Sequence, residues 1–111
     1  MIREIKAIIR VDRLSGVVHA LRQIPGMPGV TVSLVHGYGR SHPDHPTDAE
    51  PIAETQLAKV ETVVPAALVE AVVNTIQRTA HTGRSGDGKI FVIAVESATR
   101  ISSAEEGDQA I

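Results

Sequence analysis

The sequence predicts an α+β fold with elements in the order βαββαβ, the ferredoxin-like split βαβ arrangement. Two observations lead there. The apolar period switches from two residues to about 3.6 and back, twice, and Pro- and Gly-rich pairs fall near the switches. The length supplies a third: 111 residues are enough for one domain around one core, so 1–111 reads as a single unit.

Each element has its own signal. Residues 3–11 alternate, with Ile5, Ala7, Ile9 and Val11 on one face of a half-buried strand. From Asp12, expected as an N-cap, apolar residues recur at Leu14, Val17, Val18, Leu21 and Ile24, which is helical spacing. Pro25-Gly26 and Pro28-Gly29 stop that helix. Val30, Val32 and Leu34 mark a strand over 30–38, and another covers 57–64. Pro65 suits the first turn of a helix that runs to Ala80 through Leu68, Val72 and Ile76. A glycine-rich turn, Gly83 to Gly88, leads into a last strand from Lys89 to Glu96. In that strand Ile90, Val92 and Ala94 share one face and Phe91, Ile93 and Val95 the other, so both faces need cover. Two helices cover only one side of a four-stranded sheet. The other side is therefore expected to pack against further copies of the chain.

Composition excludes several classes of function. Eleven Lys and Arg against 13 Asp and Glu leave a net charge of −2, with one Tyr, one Phe and no Trp. A mildly acidic, aromatic-poor chain suits neither phosphate-driven nucleic-acid binding nor base stacking, so no nucleic-acid partner is expected. The absence of Cys removes disulfides, thiolate zinc sites and cysteine nucleophiles. The start, Met1-Ile2-Arg3-Glu4-Ile5-Lys6, alternates charged and apolar residues and is unlike a signal peptide. The longest apolar run, Ile90 to Val95, is far short of the roughly 20 residues that cross a bilayer. A cytoplasmic protein with no direct membrane insertion is the expectation.

Residues 40–56 break the pattern. They hold three Pro, four acidic residues, one base (Arg40) and no apolar period. Loops longer than about 12 to 15 residues in a compact domain are usually functional or disordered. This one is expected to be mobile until a partner orders it; an inert connection is the plain alternative. His42 and His45, with Asp44 between them, suggest part of a metal site and hence a metal-responsive regulator linked to efflux as an alternative function. Two His flanked by Pro are ordinarily solvated, however, and the third and fourth ligands are not evident.

Gly83-Arg84-Ser85-Gly86-Asp87-Gly88-Lys89 has the character of a phosphate cradle: close glycines free backbone N–H groups for an anion, and Lys89 and Arg84 add charge. The run matches the GxxxxGK part of a Walker A motif. Ile90 then stands where Ser or Thr would hold magnesium, and the turn opens a strand instead of a helix. This counts against a nucleotide hydrolase, as does the lack of an evident nucleophile–base pair. Alone, the run is better read as a plain glycine hairpin turn. Gly37-Tyr38-Gly39-Arg40 at the end of the second strand and Arg100 past the last strand strengthen the cradle, since these termini can converge across a subunit boundary.

Several segments resemble those of the PII signal-transduction family. They are Glu4 to Arg10, Gly37 to Arg40, Val63-Val64-Pro65, Thr82 to Val92, Glu96 to Ile101 and Gly107 to Ile111. The likeness spans nearly the whole chain outside 40–56 and is most specific at the glycine run. It implies a non-enzymatic regulator, a homotrimer of ferredoxin-like subunits with ATP or ADP in the clefts between them, with magnesium as a possible companion. It also implies a long T-loop that docks onto a membrane transporter or a metabolic enzyme. By position, Thr31, Glu61 and Val63 match residues that hold the adenine. Gly39, Arg40, Gly86, Gly88 and Lys89 match residues on the phosphates, with Asp87 inside the same run, and Arg100 matches an arginine from the neighbouring subunit.

The departures from that pattern are as informative. Ser102 replaces a second arginine, Ser41 replaces a Gln that helps hold magnesium and 2-oxoglutarate, and Leu57 occupies the position of the 2-oxoglutarate lysine. The loop is shorter, and its uridylylated tyrosine is missing; the only tyrosine is Tyr38. The resemblance thus points to a branch that keeps the nucleotide cleft without sensing 2-oxoglutarate.

Overall fold

The computed structural model describes residues 1–39 and 53–111. Four strands, β1 (Ile2–Arg10), β2 (Thr31–Gly39), β3 (Ala53–Pro65) and β4 (Gly88–Val95), form one antiparallel sheet in the order β2-β3-β1-β4. Two helices, α1 (Leu14–Arg22) and α2 (Val69–Ala80), pack against each other and against one face of it. This is the expected βαββαβ order with the expected layering.

The alternation in β1 dictates which face the helices cover. Ile5, Ala7 and Ile9 are almost fully buried, and the register sets them against Thr62, Val60 and Ala58 of β3, which are buried as well. Val17 and Leu21 of α1 and Val72, Ile76 and Ala80 of α2 close this core. Each such Val, Leu or Ile contributes about 1.5–3 kcal/mol on burial. Thr62 is the polar member: its hydroxyl donates to the Gly29 carbonyl at 2.9 Å, which ties the turn before β2 to the sheet.

Several local expectations need correction. Val11 is not on the core face, because β1 ends at Arg10 and Val11 opens a 3₁₀ turn, Val11–Arg13, where it is 37% exposed. Asp12 is not an N-cap: it lies inside that turn, and no side-chain cap precedes α1. Pro65 ends β3 with extended backbone (φ −60°, ψ 150°), and a 3₁₀ turn, Ala66–Leu68, intervenes before α2. The segment 53–56, expected to be loop, is strand: Gln56, Thr55, Glu54 and Ala53 pair with His36, Gly37, Tyr38 and Gly39. Pairing with β1 begins only at Leu57, so the ends of β2 and β3 project as a two-stranded ribbon. The remainder of the expected loop, 40–52, lies outside the described residues.

The sheet face away from the helices carries Glu4, Lys6 and Ile8 of β1, Leu57, Lys59, Glu61 and Val63 of β3, Thr31 and Val35 of β2, and Phe91 and Ile93 of β4. Phe91 is 46% and Ile93 39% exposed. At the two edges the helix layer also stops short, leaving Val32 and Leu34 of β2 and Val92 of β4 exposed. One chain therefore covers neither face of β4 fully.

Candidate functional site

Two groups of candidate residues form, on opposite sides of the sheet. The first gathers where β2 begins and β3 ends. Register pairs Thr31 with Glu61, and Val63 lies two residues farther along the same face of β3. After β4 the chain turns back toward this corner through an Arg100 N–H bond to the Glu105 carbonyl (2.8 Å), a Gly107 N–H bond to the Ala98 carbonyl (3.0 Å) and a Thr99–Glu106 bridge. That turn brings Arg100 into a hollow of about 590 Å³ with Thr31, Glu61, Val63, Glu4, Pro28 to Val30 and the terminal Ala110 and Ile111. Two of its lining residues have ion-pair partners: Glu61 lies 3.5 Å from Lys59, and the Arg100 guanidinium lies 3.8 Å from Glu105. The corner offers hydroxyl, carboxylate and backbone groups to a polar ring and a cation to an anion.

The second group is the glycine loop, at the other edge and the other end of the sheet, where Gly88 and Lys89 pair with Ile9 and Ile8. Its shape comes from one side chain. The Asp87 carboxylate accepts the Thr82 N–H (2.8 Å), the Gly83 N–H (3.0 Å), the Thr82 hydroxyl and the Arg10 guanidinium (2.9 Å). The Thr82 hydroxyl and N–H, then Arg10, hold the Asp87 carboxyl well below the usual carboxylate range. Arg10 also donates to the Ser85 carbonyl. Glycine is required along this path: Gly83, Gly86 and Gly88 have φ of +83°, +94° and +99°. Among the described residues, none accepts a hydrogen bond from the Ser85 or Gly86 amides. Two N–H groups without an acceptor, on a tight loop beside Lys89, are donors of the kind that anions take.

The sequence-expected residues therefore fall into separate places. Thr31, Glu61, Val63 and Arg100 share one hollow, and Gly86, Asp87, Gly88 and Lys89 share the loop. Gly39 stands apart at the tip of the ribbon. Arg40, Ser41, His42 and His45 lie outside the described residues. Asp87, expected among the nucleotide-binding residues, has its carboxylate turned into the loop's own framework. Leu57 covers Gly37, where an added Cβ would lie 2.8 Å from Leu57 Cδ1. Among the described residues no group of three or more His, Asp or Glu could hold a metal ion, and no helix is long and apolar enough to cross a membrane.

Sequence reasoning missed Arg10. It reaches across 77 positions of sequence to Asp87, and its only local signal is a base at the end of a strand. The corner formed by Pro28 to Val30 with the last two residues was missed for the same reason.

This geometry has counterparts. The chain matches the family model "Nitrogen regulatory protein P-II" over residues 2–105. It is similar to the Nitrogen regulatory protein P-II of Rhodospirillum rubrum, 43% identical across 98% of this chain and 99% of that one. Among solved structures, it resembles Arabidopsis thaliana PII bound to citrate, with a TM-score of 0.82 and 38% identity over 99% of this chain and 92% of that one. It also resembles a B. subtilis GlnK-ATP complex, with a TM-score of 0.85 and 29% identity over 99% and 97%. Strand order, glycine loop and C-terminal turn all fall within the matched length, and the chain belongs to the P-II family of nitrogen regulatory proteins.

Proposed function

We propose that this chain is a cytoplasmic, homotrimeric signalling protein that binds ATP or ADP between subunits, with magnesium accompanying ATP. It controls a membrane transporter or a metabolic enzyme through the segment 40–56. The observation that carries this reading is the separation of the two groups. Thr31, Glu61, Val63 and Arg100 lie at one corner of the sheet and the Gly86–Lys89 loop at the diagonal one, so a ligand that uses both must be held by two copies. Exposed Phe91 and Ile93 give copies an apolar face to associate through. The ATP-bound GlnK of B. subtilis supports adenine nucleotide as the ligand.

In this reading Thr31, Glu61 and Val63 hold the adenine ring. Gly39, Arg40, Gly86, Gly88 and Lys89 of the neighbouring copy hold the phosphates, and Arg100 reaches them from the copy that holds the adenine. Arg40 belongs to this set by its match to the family motif alone. The absence of a cation at Leu57 and of an amide at Ser41 argues against 2-oxoglutarate as a co-ligand. Calorimetric titration of ATP and ADP, with light scattering on the same sample, tests the proposal. Saturable binding at one nucleotide per chain to a particle of three chains is expected; a monomer or no heat of binding overturns it.

A further inference from the structure

The Arg10–Asp87 pair is the strongest arrangement that the nucleotide reading leaves unused. A carboxylate inside an anion-binding loop is an electrostatic obstacle, because like charges repel at short range. Here it is neutralised and fully engaged. Asp87 takes the Thr82 and Gly83 amides and the Thr82 hydroxyl, and Arg10 Nε closes the set at 2.9 Å with both side chains about three-quarters covered. Arg10 then continues to the Ser85 carbonyl, immediately before the free Gly86 amide. It runs so close to the loop that a Cβ on Gly86 would lie 3.4 Å from its guanidinium. The last residue of β1 is thereby strapped to both arms of the loop.

We propose that Arg10 and Asp87 are positioning residues for the phosphate of the bound nucleotide. Acting as one unit, they fix the loop backbone around the unpaired Ser85 and Gly86 amides while cancelling the loop's own negative charge. The inference rests on the nucleotide reading above and adds to it a pair that touches the loop and not the ligand. Its signature is coupling. Residues that act through each other give losses that do not add, whereas independent ligand contacts give losses that do.

The test is a double-mutant cycle of Arg10→Met, Asp87→Asn and the double variant, titrated with ATP, ADP and adenosine. Each single change is expected to weaken ATP and ADP binding about tenfold, the double change no more than the worse single one, and Arg10→Lys is expected to recover part of the loss. Adenosine, which lacks phosphate, should bind all four proteins alike. In the ligand-free proteins, amide hydrogen exchange at Thr82 and Gly83 should quicken in both single variants. Wild-type protein that binds neither ATP nor ADP overturns the nucleotide reading and this inference with it. Wild-type binding with unchanged affinity in both variants, or with fully additive losses, overturns the positioning role alone.

Discussion

Gly88 and Ile8 meet across the β1–β4 ladder so closely that a Cβ on Gly88 would lie 1.7 Å from the Ile8 carbonyl oxygen, with φ at +99°. Neither the contact nor the backbone angle admits another residue. Gly88→Ala should therefore displace the start of β4 from β1, costing about 2–4 kcal/mol through strain and lost pairing. Urea denaturation checks this; a variant as stable as the wild type would mean that the loop enters the strand by another path.

Lys89 is exposed at the start of β4 beside the loop, with no carboxylate partner among the described residues. Lys89→Ala should weaken ATP and ADP roughly ten- to a hundredfold, as the loss of a charge-assisted hydrogen bond does. The melting temperature without nucleotide should barely move. Calorimetry paired with thermal unfolding separates the two effects.

Ile93 lies on the uncovered sheet face, opposite Glu4 of β1. If copies associate through this face, Ile93→Asp buries an unpaired charge, at a cost of several kcal/mol. Light scattering should then show dissociation to monomers or unfolded chains, while Ile93→Val leaves the assembly intact. An aspartate variant that remains trimeric would move the interface elsewhere.

The Asp87 network carries a pH signature. Its folded-state pKa is depressed, so the stability it contributes is fully present above the ordinary aspartate value of about 3.9 and is lost as pH falls below that toward the folded value. Acid unfolding of Asp87→Asn should accordingly depend less steeply on pH below about 4. Carboxyl NMR should find the Asp87 titration displaced to low pH; an ordinary titration would show that the loop is open in solution.

Leu57 covers Gly37 with an apolar side chain at the start of the ribbon. It offers a dicarboxylate ligand no charge. Binding of 2-oxoglutarate in the presence of ATP and magnesium should be at least ten- to a hundredfold weaker than a cation there would give, following the ~1.5–3 kcal/mol of a charged hydrogen bond. Calorimetry decides: clear saturation at tens of micromolar (about −6 kcal/mol of binding) contradicts it.

The sequence by itself determined the order of the elements and the buried faces of β1, α1 and α2. Alternation at Ile5, Ala7 and Ile9 and helical spacing at Val17, Leu21, Val72 and Ile76 are consequences of local backbone geometry, and all seven are buried. The glycine run was legible too, because a turn with three positive-φ positions demands that residue type. Element ends were less so. Val11, Asp12 and Pro65 failed where short 3₁₀ turns replaced a strand end or a helix start, since several endings of similar energy fit one sequence there. Only the tertiary structure decided that 53–56 is strand, because its pairing with 36–39 depends on a partner distant in sequence. Only the tertiary structure gave Asp87 a framework role, through an arginine 77 residues away. It alone placed Arg100 beside Thr31 and Glu61 of its own chain, because the path of the chain after β4 is set by hydrogen bonds among Ala98, Arg100, Glu105 and Gly107. Periodicity reports which side of an element is buried; what that side meets is fixed by contacts between residues far apart in the chain.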